Sequence, residues 1–504
     1  MTQQTWGATE QPRLRHGAVG LTGAVVMSAA IMGPAVSTFF NPQFSTPFSG
    51  EATPFVYLAC LLAILIVASG IVEMARELPS AGAFYTYVTR GLGPRAGFVT
   101  GGLMFVAYAL LPPAELGLIG SYVQSTLRTE AGVDIPWWLI GIVPAAVMII
   151  LALEGIRASL RTALILFATE VCVVVLLAVI VVGHGGRNGL SLHPLSPTAS
   201  PHGFHGLATG FVFAALSFVG FEAAATLGDE VRQPRRLVPR AILLSCAFVG
   251  LVYVFCVWAE VNGLGAAATN RMNGASTPWN DLATTYASWL KWPVIVASVS
   301  SMFAVMINSA NGIARILNTM AREGLLPRAL ARVDRRRMTP TRATLLTGAF
   351  AIACALVVGA ASGGLDEPIG GSNVYGYLGF LLTLGVLPVY ALTNLAAARY
   401  FRRLGRFRVV RHGLLPLAGT GLMVALLVGQ IVEQTAAPYT WLPWAIVAWV
   451  VGVALGALWL ERTRPQQLSR AGAMLAAGEA AGEAAGEVAG EDEPHSPPLA
   501  MLAR

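Results

Sequence analysis

The chain has 504 residues, 55% of them hydrophobic and only 12% charged, with a formal net charge of +7. Ordinary soluble proteins carry about 25% charged residues, so a soluble enzyme, a secreted scaffold and a disordered chain are excluded. The apolar residues fall in runs of roughly 18 to 25, and about 20 helical residues cover the ~30 Å hydrocarbon core of a bilayer.

Twelve runs read as spans, at residues 17–40, 53–75, 96–124, 136–153, 160–183, 205–229, 238–261, 281–310, 341–361, 373–397, 413–433 and 439–460. The first is longer than the core of a signal peptide and continues past any small-residue cleavage site, so it reads as a retained span. Positive charge gathers on the cytoplasmic side of membrane proteins. With the N-terminus inside, 29 of the 33 basic residues fall in cytoplasmic segments, and only Arg128, Arg187, Arg271 and Lys291 lie outside. Both termini are therefore expected in the cytoplasm of a multi-pass plasma-membrane protein, and the basic balance calls for no nucleic-acid partner. Cys60, Cys172, Cys246, Cys256 and Cys354 all lie in apolar runs, where a thiol behaves as a small hydrophobe; neither a disulfide nor a metal site is read from them.

Helix breakers inside a span are informative, because every backbone group in a bilayer needs a partner. The first span carries Gly33-Pro34 in its interior. Pro34 lacks an N–H and opposes the carbonyl of Ala30, four residues back. Carbonyls near Ala30 and Ile31 and amides from Ala35 onward are thus expected to be free. The sixth span carries Gly220 and Glu222 near its middle, and an intramembrane glutamate is a functional candidate by default. Interrupted helices five spans apart point to an inverted repeat with a substrate site between them, near the bilayer midplane.

Three stretches carry a likeness to a known family: PSAGAFYTYVTRGLG (79–93), SFVGFEAAATLGDEVRQPRRLVPRAI (217–242) and NGIARILNTMAREGLLPRAL (311–330). In order and spacing they match Pro-x-Ala-Gly-x-x-Tyr, Gly-Phe-Glu with a following acidic pair and Pro-Arg, and Ala-Arg-x-Gly-x-x-Pro. The chain resembles the amino acid-polyamine-organocation (APC) superfamily of permeases. The resemblance implies an all-α polytopic fold of the leucine-transporter type with twelve transmembrane helices. Residues 17–183 and 205–397 would be inverted repeats of five helices, with helices 1 and 6 discontinuous. An outer loop would span 184–204, two peripheral helices 398–461, a cytoplasmic N-terminus 1–16, and a low-complexity tail 462–504. It further implies a substrate carboxylate on amides of the Gly33, Pro34 and Ala35 turn and an ammonium on carbonyls of the Phe218, Val219, Gly220 and Phe221 turn. Free ends of half-helices attract such groups. The usual Gly-x-Gly of the first turn is absent here and Pro34 removes one donor, which leaves amines and modified amino acids open as substrates.

Glu222 is a candidate gate or proton carrier, or else a structural acceptor for the loose turn. Glu170 in span five and Glu115, after Pro112-Pro113 in span three, are further candidates, because burial disfavours the charged carboxylate. Glu115 is expected within a few turns of the outer surface, where it could snorkel. Some family members carry a span-five lysine in place of a coupling sodium ion; the lone lysine here, Lys291, sits at an outer span edge. Sodium would need oxygens such as Ser298, Ser300 and Ser301, but serines in membrane helices more often bond their own backbone, so proton coupling is preferred. Phe218, Phe221 and Tyr108 are aromatic candidates for a pocket wall. Acids without matching intramembrane bases suit a zwitterionic or cationic substrate.

Four histidines, His184, His193, His202 and His205, share the outer loop without a ligand spacing, and the tail carries the near-repeat AAGEAAGEAAGEVAGEDE (476–493). No P-loop and no His-Glu-x-x-His motif is present, so no cofactor is expected. The reading is a permease for amino acids or related amines, driven by proton symport. An exchanger is the alternative, and a nutrient sensor or a membrane-embedded enzyme would be readings from other classes. Oligomeric state is not legible. If Glu222 carries the proton, Glu222→Gln loses the pH dependence of uptake; an unchanged profile between about pH 5 and 8 assigns it to structure.

Overall fold

The computed structural model describes residues 19–463 except 81, 155, 229–230, 271, 273–276, 323, 325, 335–338 and 433–436, with backbone alone at 156–163, 319 and 430. The N-terminal segment 1–16, the acidic pair Asp229-Glu230, Arg271 and the acidic repeat of the tail lie outside the described residues.

Among the described residues regular structure is helical, apart from one bridge between Val19 and Val231. In chain order the helices are α1 (Leu21–Met32), α2 (Pro34–Phe39), α3 (Asn41–Ser49), α4 (Thr53–Glu77), α5 (Ala83–Leu92), α6 (Pro94–Ala131) and α7 (Trp137–Glu154). They continue with α8 (Ile156–Gly183), α9 (Gly203–Leu216), α10 (Pro234–Leu264), α11 (Ala266–Thr269) and α12 (Pro278–Tyr286). The last are α13 (Lys291–Arg322), α14 (Thr341–Ser362), α15 (Pro368–Arg403), α16 (Leu415–Val432) and α17 (Leu442–Thr463).

Among the described residues eleven stretches are long and apolar enough to cross a bilayer, one fewer than the twelve expected. The difference is the run at 205–229. Its regular part, α9, has only 14 residues and is followed by a non-helical turn and a 3₁₀ segment, Ala223–Leu227. The eighth run also divides differently. Residues 281–286 belong to α12, the chain breaks at Ala287, and the membrane-length helix is α13, which extends to Arg322. The segment between the first two runs holds α3, whose buried face is polar. Ser45 and Ser49 lie 3.2 Å apart, Ser49 and Thr53 2.8 Å, and Ser45 donates to the Gly210 carbonyl of α9 at 3.0 Å. Hydropathy is blind to such a helix.

The long helices α6 and α15 form the middle of the bundle and pack along each other, with α13 and α5 against α6 and α4 against α10. The apolar window of α6 is 83% buried and that of α17 only 22%, so α17 is peripheral. Glycines let α6 and α15 approach closely: a Cβ at Gly371 would lie 2.5 Å from the Gly117 carbonyl oxygen. At the outer end Arg128 of α6 donates to Asp134 at 2.7 Å and to Glu367, just before α15, at 3.1 Å. The Arg128 hydrogen bond holds the Asp134 carboxyl below its ordinary range.

Gly371→Val would force α6 and α15 apart. Overpacking of this kind costs about 1–3 kcal/mol, so the thermal midpoint of the detergent-purified protein is expected to fall; an unchanged midpoint would contradict the close approach.

Candidate functional site at two broken helices

The first break is complete rather than a kink. Gly33 takes φ 55° and ψ 77°, a left-handed conformation that glycine adopts without strain. Pro34 then opens α2, a position where a missing N–H is no loss. The freed groups have found partners. The Met32 carbonyl accepts from the Ser37 hydroxyl at 2.7 Å and the Tyr253 hydroxyl at 2.6 Å. The Val36 amide donates to Ser301 of α13 at 3.1 Å.

At the second break the amides of Ser217, Phe218, Val219, Phe221 and Ala223 each bond three residues back, the tighter 3₁₀ pattern. Gly220 has φ +102°, and the space a Cβ would need there is filled by the Ile31 side chain. The two breaks therefore touch. They are tied as well: Tyr253 of α10 lies 3.0 Å from the Ser217 carbonyl as well as 2.6 Å from Met32. Asn41 donates to the Ser217 hydroxyl at 2.9 Å, and Tyr57 lies 3.0 Å from that hydroxyl while donating to the Ser37 carbonyl at 3.1 Å. Further along, the Ala224 amide donates to Ser28 of α1 at 2.9 Å.

All the residues expected at the substrate site come together here, and all are buried: Ala30, Ile31, Gly33, Pro34 and Ala35 on one side, Phe218, Val219, Gly220 and Phe221 on the other. Of the aromatic candidates, Phe218 meets Tyr253 edge-on with centroids 5.3 Å apart, and Phe221 lies 5.3 Å from Tyr390. Tyr108 is turned to Glu222. That carboxyl accepts from the Tyr108 hydroxyl at 2.9 Å, the Tyr390 hydroxyl at 2.7 Å and the Gly220 amide at 3.2 Å. It ties α6 and α15 to the turn, and both of its oxygens have partners. Beyond Glu222, a cavity of about 40 Å³ is lined by Phe84, Tyr85, Met104, Thr226, Ile316 and Met320, among others. Phe84 packs 6.0 Å from Tyr390, so one aromatic pair separates the cavity from the glutamate.

The other two acids differ from Glu222. Glu170 is fully buried, faces the Ser301 hydroxyl and the Ala35 amide, and makes no well-formed hydrogen bond with either oxygen. Glu115 neighbours Glu170, is 2% exposed and has one oxygen without a partner. It does not snorkel, because it is buried in the bundle, near Glu170 of α8 and Tyr375 of α15. Ser298 and Ser300 bond their own helix, at the Val294 and Ala297 carbonyls, and only Ser301 faces the break.

Sequence reading missed Glu260, Tyr253, Tyr57 and Tyr390. Glu260 is 1% exposed with both oxygens unpartnered; its place at the end of an acid-poor apolar run was the available signal. The tyrosines carry none, since an aromatic in a span reads as packing until its hydroxyl partner is known.

The family model for amino acid permeases matches residues 46–460. The chain belongs to the amino acid permease family. It is a membrane transporter rather than an enzyme, and its relatives are permeases of the APC superfamily. An uncharacterized transporter of Mycobacterium tuberculosis is 28% identical over 454 residues, 88% of this permease and 91% of that protein. The low-affinity putrescine importer PlaP of Escherichia coli is 25% identical over 338 residues, 66% and 73% of the two chains. The branched-chain amino acid permease BcaP of Lactococcus lactis is 24% identical over 398 residues, 74% and 80%.

Removing the Tyr253 hydroxyl takes one donor from the Met32 carbonyl, which keeps Ser37, and leaves the Ser217 carbonyl short of one, a loss of about 1–3 kcal/mol. Tyr253→Phe should therefore lower the permease's melting midpoint. No change would mean that another group serves those carbonyls.

Proposed function

We propose that the protein is a proton-coupled symporter for amino acids or organic amines. It would work by alternating access in a five-plus-five inverted repeat of a twelve-span permease, with both termini on the cytoplasmic side of the plasma membrane. In this reading α1 and α2 form the first discontinuous span, and α9 with the 3₁₀ segment Ala223–Leu227 forms the sixth. The observation that carries the proposal is the meeting of the two breaks, Gly220 against Ile31, with an unpartnered carboxyl, Glu170, facing the Ala35 amide beside them.

The substrate class follows from chemistry at that place. The acids near the breaks have no Arg or Lys beside them in the described membrane segments, which suits a zwitterion or a cation and opposes a dianion. A putrescine importer and a branched-chain amino acid permease among the relatives bracket the same range. Carbonyls at the second break would face an ammonium group, and amides at the first break a carboxylate where the substrate has one.

Of the three candidate acids, Glu170 suits the proton carrier best. An unpartnered buried carboxylate is unfavourable by several kcal/mol, and a proton or a substrate cation relieves that cost. Glu222 is already served by three donors and acts as a gate: it holds α6 and α15 to the turn until substrate release. Glu115 supports Glu170. Sodium remains the weaker coupling ion, since Ser301 is the one serine of the three that faces the break.

The test is uptake of a mixed pool of amino acids and amines into proteoliposomes, read by mass, under a pH gradient, a sodium gradient or neither. Accumulation under the pH gradient alone is expected. Exchange confined to preloaded vesicles would make the protein an antiporter. Glu170→Gln should abolish accumulation while exchange of preloaded substrate persists, and accumulation retained at the wild-type level would remove Glu170 from coupling.

A further inference from the structure

The arginine-rich turn between α15 and α16 is built unlike the other loops. α15 ends with exposed Arg399, Arg402 and Arg403, and the chain then passes through a π-helical turn, Val409–Leu414, into α16. Within that turn Val409, Val410 and Leu414 are 72%, 57% and 63% exposed, beside exposed Arg408 and Arg411. Three large aliphatic side chains on an arginine-rich surface are unfavourable in water.

Their spacing explains them. Val410, Leu414, Leu417, Val424, Val428 and Ile431 recur at helical intervals and all are exposed. The later members of this stripe belong to α16, a membrane-length helix, so the stripe is its lipid-facing side. The same face continues into the turn, so a bilayer meeting the stripe would have Val410 and Leu414 at the edge of its hydrocarbon and Arg408 and Arg411 beside its headgroups.

The turn is also held rigid. His412 is 5% exposed and stacks on Phe401, with centroids 3.9 Å apart and planes 4° from parallel. The Arg408 amide donates to its Nδ1 at 3.0 Å. A backbone N–H can only donate, so the neutral ring carries its proton on Nε2, 3.5 Å from a Glu73 oxygen of α4. Pinned from inside, the turn presents its arginines outward. Arg399, Arg403, Arg408 and Arg411 have no acidic partner among the described residues, whereas Arg406 reaches Glu77 at 4.0 Å and Arg402 lies over the Phe407 ring at 5.4 Å.

We infer that this turn is a binding site for the headgroup phosphate of an anionic phospholipid in the cytoplasmic leaflet, gripped by Arg403, Arg408 and Arg411 with the acyl chains along the Val410, Leu414 and Leu417 stripe. The inference rests on the cytoplasmic placement of this end of the bundle, read from the arginine distribution, and not on the coupling ion or substrate. Basic residues next to a membrane helix attract anionic lipid by about fivefold each, and arginine adds bidentate contacts to phosphate. The rival occupant is the chain's own acidic tail, residues 476–493. The membrane is preferred because aliphatic side chains alternate with the arginines, and an acidic sequence rich in Gly and Ala offers them no apolar side chains of size to cover them.

The experiment is native mass spectrometry of the full chain in detergent, titrated with phosphatidylglycerol or phosphatidylcholine. Wild type is expected to retain phosphatidylglycerol more tightly. Arg403→Gln, Arg408→Gln and Arg411→Gln should each weaken that retention about fivefold and leave phosphatidylcholine unchanged, which also reports an intact fold. Arg322→Gln, Arg328→Gln and Arg332→Gln combined, which remove the same charge elsewhere as the triple variant of Arg403, Arg408 and Arg411, should have no effect. Equal retention by wild type and the triple variant would overturn the site, as would an equal drop in the control. Phosphatidylglycerol binding that appears only after removal of residues 464–504 would assign the surface to the tail and overturn it too.

Discussion

A broken helix in a bilayer is stable only if the backbone groups it frees are satisfied inside the protein, and the centre of this permease is organised around that demand. Two helices stop inside the bundle, at Gly33 and at Leu216. Their loose ends are gathered by hydroxyls and one amide from surrounding helices: Tyr57 of α4, Tyr253 of α10, Ser301 of α13, and Asn41 with Ser37 on the chain that follows the first break. Tyr253 reaches both breaks with one oxygen. This makes them a coupled unit rather than two independent defects, and a movement that opens one must rearrange the other.

The carboxyls fall into two physical kinds. Glu222 accepts from donors of α6, α15 and its own turn, so it joins three elements and its loss is a loss of linkage. Glu170, Glu115 and Glu260 are buried with oxygens that make no well-formed hydrogen bond among the described residues. Buried polar groups without partners are rare in native proteins and call for an explanation. A cycle that brings a proton or a cation to them supplies one. The same division separates a carboxyl that links elements from carboxyls left without donors, without reference to position along the chain.

Around this centre the bundle is graded. The long helices α6 and α15 touch through glycine backbones and form a rigid middle, whereas α16 and α17 turn aliphatic and tryptophan side chains outward. The rigid turn before α16 links the two regimes: His412 stacks inward on Phe401 while valines and arginines face out. Packing decides which of its residues meet protein and which meet the membrane.

Much was legible before any fold was known. Apolar run length and the uneven arginine distribution marked membrane helices and their register, since both follow from the bilayer's thickness and charge asymmetry. Gly33-Pro34 and Gly220 announced the breaks, because backbone limits are local. Ends of elements were legible wherever a hydrophobic run ended with its helix, and illegible at α3, whose buried serines look like a loop, and at α12, whose apolar residues run on into α13 across a bend. Sequence by itself thus determined that the chain crosses a membrane many times and where its helices fail. Tertiary structure alone decided which side chains close those failures. The serving groups Tyr57, Tyr253, Ser301 and Tyr390 stand far from them in sequence, and a hydroxyl declares its partner only when two helices bring them within hydrogen-bond distance. For the same reason the three acids Glu115, Glu170 and Glu222 look alike in sequence and differ in the fold, where donors converge on one of them and leave the other two short.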